Sequence, residues 1–172
     1  MRTLILGGAR SGKSALAERL AAQSGPDVVY VATSTAGDAE MAARIAHHRA
    51  HRPAGWHLVE EPLALADALA RVALPGRCVL VDCLTLWLTN LLCAADENLF
   101  TQQHGRFLDI LPSLPGELIL VSNEVGHGIV PLGELSRRFV DEAGRLVQAT
   151  AAACDRVVLT VAGLPLPLKG SL

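Results

Sequence analysis

The sequence predicts an α/β domain of three layers, a mostly parallel central sheet flanked by helices, and three observations carry that prediction. Short apolar runs alternate along the chain with longer segments of helical character, the order expected of strands joined by crossover helices. The strongest runs, Val79-Leu80-Val81 and Leu118-Ile119-Leu120-Val121, are apolar at every position. Both faces of such strands are buried, as a parallel sheet between helices requires. Finally, 172 residues suffice for one core, and no repeat, linker or low-complexity tract divides them, so residues 1–172 read as a single domain.

Taken in order, residues 3–6 form a strand that runs into glycines, and residues 13–24 the first helix. A strand over 28–33 precedes a helix over 38–52, which Asp38 caps and Pro53 stops. Strands then follow at 57–60, 78–82, 117–122 and 156–161, with helices at 62–73, 84–95, 97–111 and 134–153. The tail Leu164-Pro165-Leu166-Pro167-Leu168 cannot be helical and is expected to lie extended at a sheet edge.

Composition excludes several functions. Hydrophobic residues make up 51% of the chain but aromatics only 3%, so the core is aliphatic and base-stacking platforms are absent. A net charge of -2 argues against a general nucleic-acid binder. Cys78, Cys83, Cys93 and Cys154 include no C-x-x-C pair, so no zinc site is expected. Cys78 and Cys83, flanking an apolar run, read as buried thiols in a reducing compartment. The apolar run before the first glycine is only three residues long, Leu4 to Leu6, too short for a signal peptide. The apolar stretch 78–95 is interrupted by Asp82 and Asn90 and reads as strand plus helix, not a membrane span. A cytoplasmic protein is expected.

In a sheet of this kind ligands sit beyond the carboxyl ends of the strands, which selects the segments after Leu6, Thr33, Val81 and Val121. The first carries Gly7-Gly8-Ala9-Arg10-Ser11-Gly12-Lys13-Ser14, a match to G-x-x-x-x-G-K-[ST] at every fixed position, placed between a strand and a helix. Glycines let backbone N–H groups curl around phosphate oxygens, and the helix N-terminus adds a favourable field. Lys13 would reach the β- and γ-phosphates and Ser14 would ligate Mg²⁺. A merely tight turn explains neither residue. Val79-Leu80-Val81-Asp82 ends a buried strand in a carboxylate, which either joins the Mg²⁺ shell or caps the next helix. These features predict a P-loop NTPase fold of the RecA-like kind, binding a purine nucleoside triphosphate for phosphoryl or nucleotidyl transfer.

The segment Asp38 to Pro53 contains His47-His48-Arg49-Ala50-His51-Arg52. At 100° per residue, Met41, Ala42, Ile45 and Ala46 share one side, while Glu40, Arg44, His47 and His51 share the other with His47 at its middle. Three readings stand: a solvated polar face, a metal site from the i, i+4 pair His47 and His51, or an imidazole cluster that handles phosphate. The metalloprotease pattern needs Glu after the first His, and His48 is there instead.

With these residues in view, the chain resembles the bifunctional adenosylcobinamide kinase / adenosylcobinamide-phosphate guanylyltransferase family over nearly its whole length. The resemblance rests on residues 7–14, Tyr30-Val31-Ala32-Thr33-Ser34, and the segment 38–53. It continues through Asp82-Cys83-Leu84-Thr85, Thr89-Asn90-Leu91-Leu92, Ser122-Asn123-Glu124-Val125-Gly126, Gly128-Ile129-Val130-Pro131 and residues 139–144. It is loosest over 94–116 and 163–172. It implies that ATP or GTP phosphorylates adenosylcobinamide, and that GMP then passes from GTP through a guanylyl-histidine to adenosylcobinamide phosphate, giving adenosylcobinamide-GDP. The histidine so used falls on His47. Implied nucleotide contacts are Gly7, Gly8, Ala9, Arg10, Ser11, Gly12, Lys13, Ser14, Ala32, Thr33, Ser34, His48, Arg49, Ala50, His51, Glu60 and Asp82. Asn123 and Glu124 would close a strand on the same edge, where Glu124 either orients the attacking hydroxyl or makes a structural hydrogen bond. The resemblance also implies a homotrimer. Two rival functions are a P-loop kinase for another small metabolite, which leaves the histidines unexplained, and a GTP-dependent regulatory switch without chemistry.

Overall fold

Seven strands form one sheet in the order β3-β2-β4-β5-β1-β6-β7 in the computed structural model, which describes residues 1–35, 53 and 55–172. The strands are β1 (Arg2–Gly7), β2 (Val28–Ala32), β3 (His57–Glu60), β4 (Cys78–Asp82), β5 (Glu117–Asn123), β6 (Arg156–Val161) and β7 (Leu164–Lys169). All neighbouring pairs are parallel except β6 and β7. The described helices are α1 (Lys13–Ser24), α2 (Leu65–Val72), α3 (Leu84–Leu92), α4 (Glu97–Ile110) and α5 (Glu134–Ala153), with a short 3₁₀ turn at Leu111–Ser113. The helix expected over 38–52 lies outside the described residues.

Alternation along the inner strands produces two cores, because successive side chains leave opposite faces of a sheet. Leu4, Leu6, Val79, Val81, Leu118 and Leu120 face one way and meet Trp87 of α3 and Phe107 of α4. Ile5, Leu80, Ile119 and Val121 face the other and meet Leu16, Ala17 and Ala21 of α1. The continuous apolar runs are therefore two half-cores read in one line. Trp87 and Phe107, rings 5.2 Å apart, give the first core its bulk, and the Trp87 indole N–H donates to the Leu63 carbonyl at 2.8 Å.

Two helices are shorter than their apolar patterns suggest. The Glu61 carboxylate accepts the Leu63 and Ala64 N–H groups at 3.1 and 2.8 Å, which holds those residues in a turn ahead of α2. Asp96 accepts the Asn98 N–H at 2.9 Å and so starts α4 as an N-cap, separating it from α3. The tail is an edge strand as expected: Pro165 and Pro167 lie opposite Thr160 and Val158, positions where a missing N–H costs the ladder nothing. Cys78 and Cys83 are buried, as is Cys154. No helix among the described residues is long and apolar enough to cross a membrane.

Candidate functional site

Strand β1 ends at Gly7 between β5 and β6, and the chain then loops through residues 8–12 into α1. The path is set by the main chain. Arg10 and Gly12 both have positive φ, 55° and 95°, and the Ser11 N–H donates to the Gly8 carbonyl at 3.2 Å. A side chain at Gly7 would place its Cβ 2.7 Å from the Thr160 carbonyl, so the loop needs glycine there. The loop is also tied from both sides. Glu124 N–H donates to the Gly7 carbonyl at 3.0 Å, and Gly163 N–H to the Ser11 carbonyl at 2.8 Å. Lys13 directs its ammonium back over the loop to the Gly8 carbonyl at 3.2 Å. The buried Ser11 hydroxyl packs beneath Gly7 and has no hydrogen-bond partner among the described residues.

The end of β4 is built differently. Asp82 stands half-buried at the strand terminus and its carboxylate accepts the Tyr30 hydroxyl at 3.1 Å. The next residue, Cys83, is buried, and that burial, reinforced by the neighbouring Asp82 charge, pushes its thiol up to about 12. Thr33, fully buried, both donates to the Cys83 carbonyl at 2.7 Å and accepts the Cys83 N–H at 2.9 Å. Asn90 of α3 donates in turn to the carbonyls of Thr33 and Pro62, at 2.7 and 3.0 Å.

The strand register aligns several of the residues singled out in the sequence. Ala32 lies opposite Glu60 on one side and Asp82 on the other, and Gly7 lies opposite Asn123. The end of β4 and the phosphate loop are separated by one strand, β5, about 10 Å at the usual strand spacing. Ser34 is half-buried just beyond β2, and Glu60 is exposed at the end of β3. Asn123 is held where its N–H donates to Thr85 Oγ1 at 2.6 Å, and Thr85 and Ser122 share a hydroxyl hydrogen bond at 3.2 Å. One oxygen of Glu124 accepts the Gly126 N–H at 2.9 Å, shaping the turn after β5. Ser14 and Asp82 offer oxygen donors alone, one hydroxyl and one carboxylate, a set suited to Mg²⁺ completed by phosphates and water. His47, His48, Arg49, Ala50 and His51 lie outside the described residues.

Sequence reasoning gave no role to Tyr30, Asn90 or Gly163. Tyr30 carries a usable signal, since a tyrosine inside a buried parallel strand needs a partner for its hydroxyl. Asn90, a lone amide in an apolar helix, carries the same signal more weakly. Nothing local marks Gly163.

A phosphate loop closing β1, a carboxylate closing β4 and a parallel sheet between helices define a nucleotide-binding domain of the RecA-like P-loop class. Solved structures agree at the level of fold. The RadB recombinase aligns with a TM-score of 0.51 at 16% identity, covering 92% of this chain and 73% of that one. A Pyrococcus horikoshii OT3 protein aligns with a TM-score of 0.54 at 9% identity, covering 99% and 87%. Within that class the sequence is specific. The family model described as cobinamide kinase / cobinamide phosphate guanyltransferase matches residues 3–168, and the chain belongs to that family. It is 65% identical to the bifunctional adenosylcobalamin biosynthesis protein CobP of Pseudomonas aeruginosa, over 99% of this chain and 98% of that protein. It is 40% identical to the bifunctional adenosylcobalamin biosynthesis protein CobU of Salmonella typhimurium, over 98% and 100%.

Proposed function

We propose that this bifunctional transferase of cobalamin biosynthesis uses one phosphate loop for both of its reactions, and that His47 carries the guanylyl group between them. The observation that supports a shared loop is the complete P-loop at the end of β1, tied to its neighbours by Glu124 and Gly163, within a chain whose family carries both activities. In the kinase reaction the loop N–H groups and Lys13 hold the triphosphate of ATP or GTP. The hydroxyl of adenosylcobinamide attacks the γ-phosphorus and the nucleoside diphosphate leaves. In the second reaction an imidazole nitrogen of His47 attacks the α-phosphorus of GTP, forming a P–N bond and releasing pyrophosphate. The phosphate of adenosylcobinamide phosphate then displaces the imidazole, giving adenosylcobinamide-GDP. Splitting the transfer in two suits imidazole, which is both nucleophile and leaving group.

Ser14 and Asp82 are the residues that would hold Mg²⁺, whose charge offsets that of the phosphate oxygens. Ala32, Ser34 and Glu60 line the same edge and would meet the nucleotide, with His48, Arg49, Ala50 and His51 completing its contacts. Asn123 and Glu124 stand beside the loop, where an acceptor hydroxyl would approach. The reading places the enzyme in the cytoplasm as a homotrimer of one catalytic domain per chain. Association is supported by an exposed apolar stretch, with Ile129 97%, Val130 73% and Leu132 98% accessible. A monomer in sedimentation at micromolar concentration would contradict it.

His47→Ala tests the central step. Incubated with α-labelled GTP, the wild type should acquire an acid-labile, alkali-stable label and pass it to adenosylcobinamide phosphate. The variant should do neither while keeping most kinase activity. Label that persists in the variant, or that maps to another residue, would move the nucleophile.

A further inference from the structure

We infer that Thr33 is a positioning residue for Asp82 and not a nucleotide contact. The inference rests on the reading of Asp82 as the Mg²⁺ carboxylate. β2 and β4 pair in parallel up to Ala32 and Asp82, and beyond that point the two chains must separate to enter different segments. Thr33 takes over where the ladder stops. Its N–H donates to the Asp82 carbonyl at 3.3 Å, and its hydroxyl spans the carbonyl and N–H of Cys83 at 2.7 and 2.9 Å. The residue is 0% exposed, and its own carbonyl accepts from Asn90 at 2.7 Å. Every polar group of Thr33 is therefore spent inside the protein, three of these four bonds on Asp82 and Cys83. Two residues upstream of Ala32 on the same strand, Tyr30 sends its hydroxyl to the Asp82 carboxylate at 3.1 Å. The carboxylate is thus fixed through its side chain by Tyr30 and through its backbone by Thr33. A ligand held this way reaches the metal without first being reoriented.

The hydroxyl, not the volume, is what the role requires, so Thr33→Val removes it nearly isosterically and Thr33→Ser keeps it. Binding of the fluorescent nucleotide mant-GTP, followed in EDTA and against rising Mg²⁺, separates the possibilities, with thermal melting recorded alongside. Thr33→Val should bind mant-GTP in EDTA within about twofold of wild type and need about three- to tenfold more Mg²⁺ for half-maximal tightening, the scale of one or two lost hydrogen bonds. Thr33→Ser should restore the wild-type midpoint. Equal weakening with and without Mg²⁺ would make Thr33 a nucleotide contact. A lowered melting temperature with an unmoved midpoint would make it merely structural. Either result overturns the inference. Should Thr33→Val fail to fold, Tyr30→Phe releases the same carboxylate and should shift the midpoint in the same direction; a wild-type midpoint there overturns the clamp. Asp82→Asn is the control for the underlying reading. If its midpoint is unmoved, the metal assignment itself falls; if it moves while that of Thr33→Val does not, only the positioning role is lost.

Discussion

At the end of β1 the chain holds its ligand-facing loop with main-chain groups: Gly7 accepts from the Glu124 N–H, Ser11 from the Gly163 N–H, and Ser11 donates back to Gly8. At the end of β4, one strand further along the sheet, the functional group is a side chain and side chains hold it, Tyr30 at the carboxylate and Thr33 at the next peptide. The difference fits what each arm is proposed to bind. A phosphate is met by several N–H groups at once, so the backbone path itself is the site, and side chains near it are mostly a hindrance. A metal-holding carboxylate needs one pair of oxygens at one place, and only neighbouring groups can keep a short side chain there. The first arm fails when the loop changes shape or loses its charge. The second fails by losing orientation, which more ligand can offset.

The largest effect should come from the one side chain on which the main-chain arm depends. Lys13 bonds only to the Gly8 carbonyl among the described residues, so its removal should leave the fold intact. Lys13→Ala should nevertheless lower both the kinase and the guanylyl-transfer rates by at least ~100-fold, the scale of losing a charge-stabilising donor in phosphoryl chemistry. Retention of more than a few per cent of either rate would require a second nucleotide site and would break the comparison at its base.

The carboxylate arm should lose less and be rescuable. Asp82→Asn keeps a group able to accept from Tyr30 but removes the charge. At limiting Mg²⁺ both rates should fall about 10- to 100-fold, and excess Mg²⁺ should recover part of the loss, because on the proposed reading the cation would keep its bonds to Ser14 and the phosphates. Rates measured across an Mg²⁺ series check this. A dependence identical to wild type would leave Asp82 only its bond to the Tyr30 hydroxyl. The helix-capping role its sequence position also allowed is not taken up: the N-cap of α3 is Cys83 and no side chain caps it.

The two arms differ in how far the sequence disclosed them, for the same reason. The phosphate loop is legible because its constraints are local: glycines, the lysine and the serine lie within eight consecutive residues, and the flanking strand and helix announce themselves by pattern. The strands were equally legible, since burial on both faces leaves unbroken apolar runs in β4 and β5. The clamp on Asp82 was not. Thr33 and Tyr30 lie 50 and 52 residues from their partners, and no pattern near either residue shows which strand will stand beside β2. The resemblance implies nucleotide contacts at Ala32, Thr33 and Ser34 together, and nothing in that short string shows that Thr33 alone of the three is fully buried. Gly163 was illegible for a further reason. Its contact with Ser11 exists only because β6 lies next to β1 and turns back on itself there.

That turn offers the smallest of the expected effects and the one that sharpens the comparison most. Ala162 and Gly163 both have positive φ, 52° and 78°, and the turn they make brings Gly163 against Gly12, where an added Cβ would come within 3.1 Å of the Gly163 Cα. A Cβ added at Gly163 itself meets nothing within 4 Å. Gly163→Ala therefore introduces no clash, only the cost of a left-handed backbone, about 1 kcal/mol, or roughly a fivefold change if it is expressed entirely in binding. The turn can relieve that strain by shifting, and the Gly163 N–H to Ser11 bond would lengthen with it. Affinity for GTP should then fall by up to about fivefold in EDTA and in Mg²⁺ alike, because the phosphate loop is loosened while Asp82 is untouched. Thr33→Val should show the opposite pattern, a changed Mg²⁺ midpoint over an unchanged affinity in EDTA. If Gly163→Ala moved the Mg²⁺ midpoint instead, the two arms would be mechanically coupled through β1 and β5, and their separation into a main-chain half and a side-chain half would not hold.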